Sequence, residues 1–324
     1  MFNKGEDAMK KARQVAVSAV GAVWLLTAGL ASAGKWDGNL EVEQGYWAGD
    51  ATYSIGGMVR AEGESMRLHD KLSELKFPLG VAYASMGGSV TWNRRLEMHG
   101  CAMANLTDPS AKVEDSDFGI FDGSDESTLD IYSESDATLS AWAANTGVRY
   151  WFQPSASNRV AWSMGVGPGV SYQHLDWTVS NTTQWSPSHQ EYPERHIQES
   201  ALTYESDVFM GYMDVAARMR FNRLSTCFDL GVGMAIVQDE DNHIFTEKRS
   251  TGDMSGIGVR GSGEIRYDLP KDFFVLARVA VLLIEASGTQ TQTGYGGNQD
   301  FEAEIDEDYS LTSITAGASF GYAF

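Results

Sequence analysis

Cysteine, proline and basic side chains are all scarce in this chain of 324 residues. Two cysteines can form neither a disulfide framework nor a four-thiolate metal site. Lys and Arg number 24 against 44 Asp and Glu, for a formal net charge of −20. That balance excludes nucleic acid as a main partner, because phosphate binding needs a clustered positive surface. After residue 33 no apolar run reaches the length of a membrane-spanning helix. A Gly-rich phosphate loop and a zinc-type His/Cys cluster are also missing, and no cofactor is expected. What is plentiful points elsewhere. Thirty-four glycines, 13 tyrosines and 9 tryptophans beside only 7 prolines suit a large β-sheet protein.

The first 33 residues read as an address. Lys10, Lys11 and Arg13 form a basic start, Val15 to Leu30 an apolar run, and Ala31-Ser32-Ala33 a small-residue end. This is the order of a secretory signal peptide with cleavage after Ala33. The run is short for a membrane anchor. Residues 34–324 are then expected to form one domain.

Period-two alternation fills that domain. Val160, Trp162, Met164, Val166 and Val170 alternate with Ala161, Ser163, Gly165, Gly167 and Gly169. Likewise Met213, Val215, Ala217 and Met219 oppose Asp214, Arg218 and Arg220, and Ile257, Val259, Ile265 and Tyr267 oppose Arg260, Glu264, Arg266 and Asp268. Side chains two apart share a strand face. A sandwich would bury the apolar faces, whereas a transmembrane barrel turns them to lipid.

Three features favour the barrel. The polar faces mix Gly, Ser and Ala with charge, as a crowded lumen requires. Short turns at Pro154–Asn158, Asn222–Ser225 and Leu269–Asp272 alternate with long acidic segments at 107–135, 180–199, 238–256 and 291–308. The last strand ends on Phe324, two residues after Tyr322, like the assembly signal of bacterial outer-membrane barrels. The expected fold is an all-β, transmembrane antiparallel β-barrel of about ten strands. These are placed at about 51–66, 72–92, 95–106, 136–152, 159–179, 200–221, 226–248, 254–268, 273–290 and 309–324. Trp142, Tyr150, Trp151, Trp162 and Trp177 are expected in the interface girdle. Cys101 and Cys227 are expected as separate thiols, because their strands should be distant.

Candidate chemistry lies in acids and histidines. Asp-x-Asp occurs at Asp115/Asp117, Asp239/Asp241 and Asp306/Asp308, but in so acidic a chain any one pair is ordinarily a solvated loop. The six histidines say more. Glu97/His99, Glu194/His196 and Asp241/His243 each put an acid two residues before an imidazole. On a strand the carboxylate could then orient the ring and stabilise its charge. Topology puts His99 at the periplasmic end, His196 in a long loop and His243 at the outer end of its strand. Asp115, Asp117, Asp241 and His243 could therefore meet at the outer rim.

The segments "LSELKFP" (72–78), "VEDSDF" (113–118), "DESTL" (125–129) and "DEDNHIFTEKR" (239–249) resemble, in this order, motifs of the omptins. That family comprises ten-stranded outer-membrane endopeptidases whose site opens at the cell exterior. The resemblance implies that Asp115 and Asp117 form the catalytic aspartate couple and Asp241 and His243 the catalytic dyad. It implies that Glu64 and Asp239 bind a basic substrate side chain. The implied activity is hydrolysis of peptide bonds next to basic residues, by a water activated between the Asp pair and the Asp-His dyad. The implied partners are peptide or protein substrates and outer-membrane lipid. Two departures stand out. Leu129 occupies a position where many relatives carry His. Asp176 and Asp207 replace two arginines that grip lipopolysaccharide phosphates, and charge reversal there repels phosphate unless a divalent cation bridges. A dependence on lipopolysaccharide therefore transfers poorly. The alternative reading is a non-enzymatic barrel of the same ancestry, acting in adhesion or envelope structure. A lipid-modifying barrel enzyme would need a Ser-His pair on the outer wall, and none stands out.

Overall fold

Alternation in sequence becomes two faces in space. In the strand Leu224–His243, the side chains of Phe228, Leu230, Val232, Met234 and Ile236 are exposed, while Ala235 and Val237 are buried. Apolar side chains on the exposed face and small or polar ones on the inner face are the pattern of a wall between lipid and a lumen. The computed structural model of the chain describes residues 36–61, 64–121, 125–152, 155–156, 160–244, 247–295 and 301–324. The expected signal peptide at 1–33 lies outside these residues, as does most of the turn at Pro154–Asn158.

Among the described residues fifteen strands follow one another: β1 (Trp36–Ala61), β2 (Glu64–Arg67), β3 (Ser73–Pro78), β4 (Val81–Trp92), β5 (Leu96–Asn105), β6 (Val113–Phe118), β7 (Leu129–Trp151), β8 (Ser155–Ala156), β9 (Val160–Trp185), β10 (Arg195–Ile197), β11 (Leu202–Phe221), β12 (Leu224–His243), β13 (Lys248–Asp268), β14 (Phe273–Gly294) and β15 (Glu302–Ala323). Ten of them close a ring: β1, β4, β5, β7, β9, β11, β12, β13, β14 and β15, with β1 pairing antiparallel to both β15 and β4. At the seam Gly38 and Phe324 exchange two backbone hydrogen bonds of 2.9 Å. Closure leaves the ten-stranded ring no free edge, which lipid would not tolerate.

Toward the site end the ring changes composition. There β3 pairs with β1, β6 with β3, and β7 with β6. The expected strand 72–92 is thus broken between β3 and β4. The expected loop 107–135 contains a wall strand, β6. Its six residues carry three acids, so the alternation is too short and too polar to separate from a solvated loop. The strands also run further than expected. β1 starts at Trp36 because Glu41 and Glu43, which break the apolar pattern, face inward to Arg278. β12 and β13 leave only 244–247 between them, and β15 begins at Glu302. At the opposite end the connections are tight. Asn93 and Arg94, and again Lys271 and Asp272, have positive φ, the backbone hand that matches the twist of a two-residue hairpin.

The lumen is filled in two layers. The layer away from the site is ionic. Arg278 reaches Glu41 (2.7 Å), Glu264 (3.1 Å) and Glu43 (3.2 Å), and Arg149 reaches Asp214 at 2.6 Å. Buried charges of both signs are paired there, as burial demands. The layer beneath the site is aromatic. The ring of Phe77 stacks on Tyr204 at 4.3 Å and lies 5.2 Å from Trp177, while Tyr53 lies 5.0 Å from Tyr204. This corrects the girdle assignment for two residues. Trp177 and Trp151 are buried inside the barrel, whereas Tyr150 and Trp162 are exposed on the wall. Trp177 follows the parity of the inward Gln173 and Leu175, and its ring N–H reaches the Pro78 carbonyl at 3.0 Å. Cys101 on β5 and Cys227 on β12 are separate free thiols.

A closed, hydrogen-bonded β ring resists detergent until heated. Unboiled protein should therefore run anomalously on a denaturing gel and shift on boiling, with a β-type circular dichroism spectrum. A predominantly helical spectrum would overturn the fold.

Candidate active site

The acids and the histidine singled out above are set by strand register. On β6, Asp115 lies opposite Leu75 and Asp117 opposite Ser73. Two-residue spacing turns both carboxylates to one face. On β12, Asp239, Asp241 and His243 share a face in the same way, with Asp241 opposite Tyr204 of β11. Asp239 and Asp241 are buried, 7% and 1% exposed. Both strands rise above the apolar belt, which on β12 ends at Ile236.

Asp241 is the hub. One of its oxygens, Oδ2, lies 2.8 Å from Nε2 of His243 and also accepts the Tyr53 hydroxyl from β1. His243 keeps about a fifth of its side chain exposed. Tyr204 donates to Asp239 Oδ2 at 2.8 Å. The aromatic layer therefore does more than fill the lumen: its hydroxyls hold the acids of β12 from below. The Tyr53 contact joins β1 to β12 and acts only once the ring has closed, whereas Tyr204 and Asp239 belong to neighbouring strands of one hairpin.

Opposite this dyad, Asp115 is pushed up from its ordinary 3.8 to about 7. Burial is the main cause and the Asp117 charge the next, while His243 and Lys248 pull the other way. Asp117 is also raised by burial, against a hydrogen bond from Ser73 and the charge of His243. Two neighbouring carboxylates cannot both ionise cheaply, so the couple retains a proton near neutrality. The linkage has a definite sign. Folded chain holds a proton on Asp115 that unfolded chain has released above about 4. That stabilisation is present at low pH and is lost as pH rises through about 7. The unfolding midpoint should fall between about pH 4 and 7 and level off above that, and because Asp239 is raised to about 7 in the same way, Asp115→Asn should reduce the slope without removing it. An equally steep slope in that variant would assign it to other groups.

One acid was missed in the sequence. Glu307 of β15 is buried, 2% exposed, and accepts from Gln290 at 3.0 Å. A methyl group on Gly252 would strike both the Glu307 and the Asp239 carboxylate, so the two acids face one spot on β13. Glu64, by contrast, is exposed on β2, paired with Ala61. Glu307 sits between Asp306 and Asp308, which looked like a loop pair. In the strand Asp306 turns aside and accepts from the Met58 amide at 3.1 Å. No signal beyond a strand extending through 302–308 would have separated Glu307 from its neighbours. Oδ1 of Asp115 and Asp241 and Oγ of Ser250 are buried without a hydrogen-bond partner, while Asp239 and Glu307 hydrogen-bond to each other, which requires a proton on one of the two carboxyls.

The other acid–histidine pairs do not join this group. His99 and Glu97 lie 3.8 Å apart, and Glu97 belongs to the ionic layer, accepting from Trp151 at 2.9 Å. His196 meets Glu194 at 3.1 Å on the exposed side chains of β10 and its approach.

The wall, belt and closed ring define an outer-membrane β-barrel. Among solved structures, the outer membrane protease OmpT from Escherichia coli has this architecture, with a TM-score of 0.68 and 16% identity over 89% of this chain and 97% of that chain. The outer membrane protein OprG from Pseudomonas aeruginosa (TM-score 0.32, 11% identity, 89% and 96% covered) and the translocator domain of autotransporter NalP from Neisseria meningitidis (0.32, 10%, 98% and 98%) are more distant matches. At such identities the likeness is one of fold. No protein-family model matches the chain, and no curated protein matches it in sequence.

Proposed function

We propose that this protein is an omptin-type endopeptidase of the bacterial outer membrane, with its site facing the cell exterior. The observation that carries the reading is the convergence at one rim of a proton-sharing pair, Asp115/Asp117, and an Asp241-oriented imidazole, His243. These come from strands far apart in the chain, and burial of so many acids is costly unless they act.

In this scheme a water sits between the Asp couple and His243. With Nε2–H donated to Asp241, Nδ1 of His243 is the acceptor for the water's proton. The proton on the couple is held where oxyanion charge develops as the water attacks the peptide carbonyl. Asp241 stabilises the imidazolium that results, and Tyr53 fixes Asp241. No Ser or Cys nucleophile is needed. The facing carboxyls of Asp239 and Glu307, buried together around one shared proton, suit a guanidinium or ammonium group that takes the place of that proton, so the favoured substrates carry Arg or Lys beside the scissile bond.

The test is cleavage of a quenched dibasic peptide by folded protein in detergent micelles, with and without added lipopolysaccharide. Steady cleavage that a His243→Ala preparation lacks supports the reading. No cleavage under either condition, by protein whose gel shift shows a folded barrel, removes it in favour of an adhesive or structural barrel.

A further inference from the structure

A second cluster of chemistry-bearing side chains lies on the outer wall, away from the rim site. On β9 and β11, His174 stands directly opposite Asp207, and Glu205 precedes Asp207 by the two-residue spacing that shares a face. This face continues toward the belt through Met213 and Val215 on β11 and through Trp162 and Met164 on β9, all exposed. The parity that puts apolar groups into lipid therefore puts these three polar groups on the outside, just above the belt.

From this arrangement we propose that His174, Glu205 and Asp207 form a binding site for a divalent transition-metal ion. Among the described residues, these three offer ligand atoms that all lie within 4.8 Å of one another. His174 Nδ1 is 2.9 Å from an Asp207 oxygen and 3.6 Å from a Glu205 oxygen. A tetrahedral ion at zinc distances places its ligand atoms about 3.3 Å apart. The two observed separations bracket that spacing, so small side-chain adjustments suffice. The frame is already organised: the Tyr172 hydroxyl donates to Asp207, and the Trp142 ring lies 6.2 Å from the imidazole.

A second observation, independent of the ligand geometry, asks for positive charge at the same place. Glu205 lies directly opposite Asp176 on β9 and directly opposite Glu240 on β12. Like charges paired across strands destabilise a sheet. Arg249 answers Glu240 at 2.6 Å, which leaves Asp176, Glu205 and Asp207 in one patch around a single imidazole. A dication bound there relieves the repulsion and ties β9 to β11. The donor set selects the kind of ion. One imidazole and two carboxylates suit zinc, cobalt or manganese, whereas magnesium and calcium prefer all-oxygen shells. Water completes the coordination on the solvent side, where Glu205 is about half exposed.

The experiment uses the full chain without a polyhistidine tag, folded in detergent and stripped with chelator. Cobalt(II) is titrated while its visible absorption is followed. Zinc is titrated by calorimetry, and unfolding temperature is read with each. One ion per chain is expected, with a raised unfolding temperature and no displacement by equimolar magnesium. His174→Ala should abolish the cobalt spectrum, and Glu205→Gln should weaken binding at least tenfold. His243→Ala separates this site from the rim and should leave binding intact. Each variant is first checked for heat-shifted gel mobility, and Asp207→Asn replaces His174→Ala should the latter not fold. Absence of saturable binding overturns the proposal. So does binding that survives His174→Ala or Asp207→Asn, or that disappears in His243→Ala alone.

Discussion

His243→Ala should lower kcat for a quenched dibasic peptide by about 10²–10⁴-fold, the usual contribution of a positioned general base. The imidazole is one-fifth exposed and its Nε2 is held by Asp241 at 2.8 Å, so its removal takes away the base without emptying the core. Asp241→Asn should come close to the same loss, because an amide can present its N–H to the ring and favour the wrong tautomer. Asp115→Asn and Asp117→Asn should act through the couple, which can no longer share one proton between two carboxylates. Effects within such a unit are not additive, so the Asp115→Asn/His243→Ala double variant should be little worse than the poorer single one. Retention of near wild-type kcat by His243→Ala, with the gel shift intact, would sink the mechanism.

Specificity should show the second large effect. Truncating one member of a desolvated charge pair costs about 2–5 kcal/mol. Asp239→Asn and Glu307→Gln should therefore each reduce kcat/KM for an Arg substrate by at least about thirtyfold, and for a matched Leu substrate far less. Glu64→Ala is the informative comparison. Glu64 is exposed on β2, where solvent screens a charge, and the expected loss is small. An equal fall in Glu64→Ala and none in Glu307→Gln would return the pocket to Glu64. Equal wild-type cleavage of Arg and Leu peptides would remove the acidic pocket altogether, whatever the fate of the catalytic four.

Much of this was legible in the residues themselves, because lipid is an unforgiving solvent. Where a wall strand crosses it, every second side chain must be apolar, and Phe228 through Ile236 spell that out. Above the belt the constraint lapses. Water accepts either face, so β6 and the start of β15 read as acidic loops although both are walls. Candidate chemistry survived this ambiguity only where spacing carried it. Asp241 and His243 share a face on any strand, whereas nothing local marks Glu307 between two other acids.

The sequence by itself determined the alternation, the all-β class, the strand number and the two-residue couples Asp115/Asp117 and Asp241/His243. Those are properties of neighbours in the chain, and a strand's period of two is enough to read them. Tertiary structure alone decided which couples meet, because ring closure is a long-range event. It brings Tyr53 of β1 to Asp241 of β12, turns Trp177 inward beneath the acids, sets Glu307 against Asp239, and lines His174 up with Asp207 on the outer wall. Register across strands fixes these meetings, and register is set by the whole closed sheet.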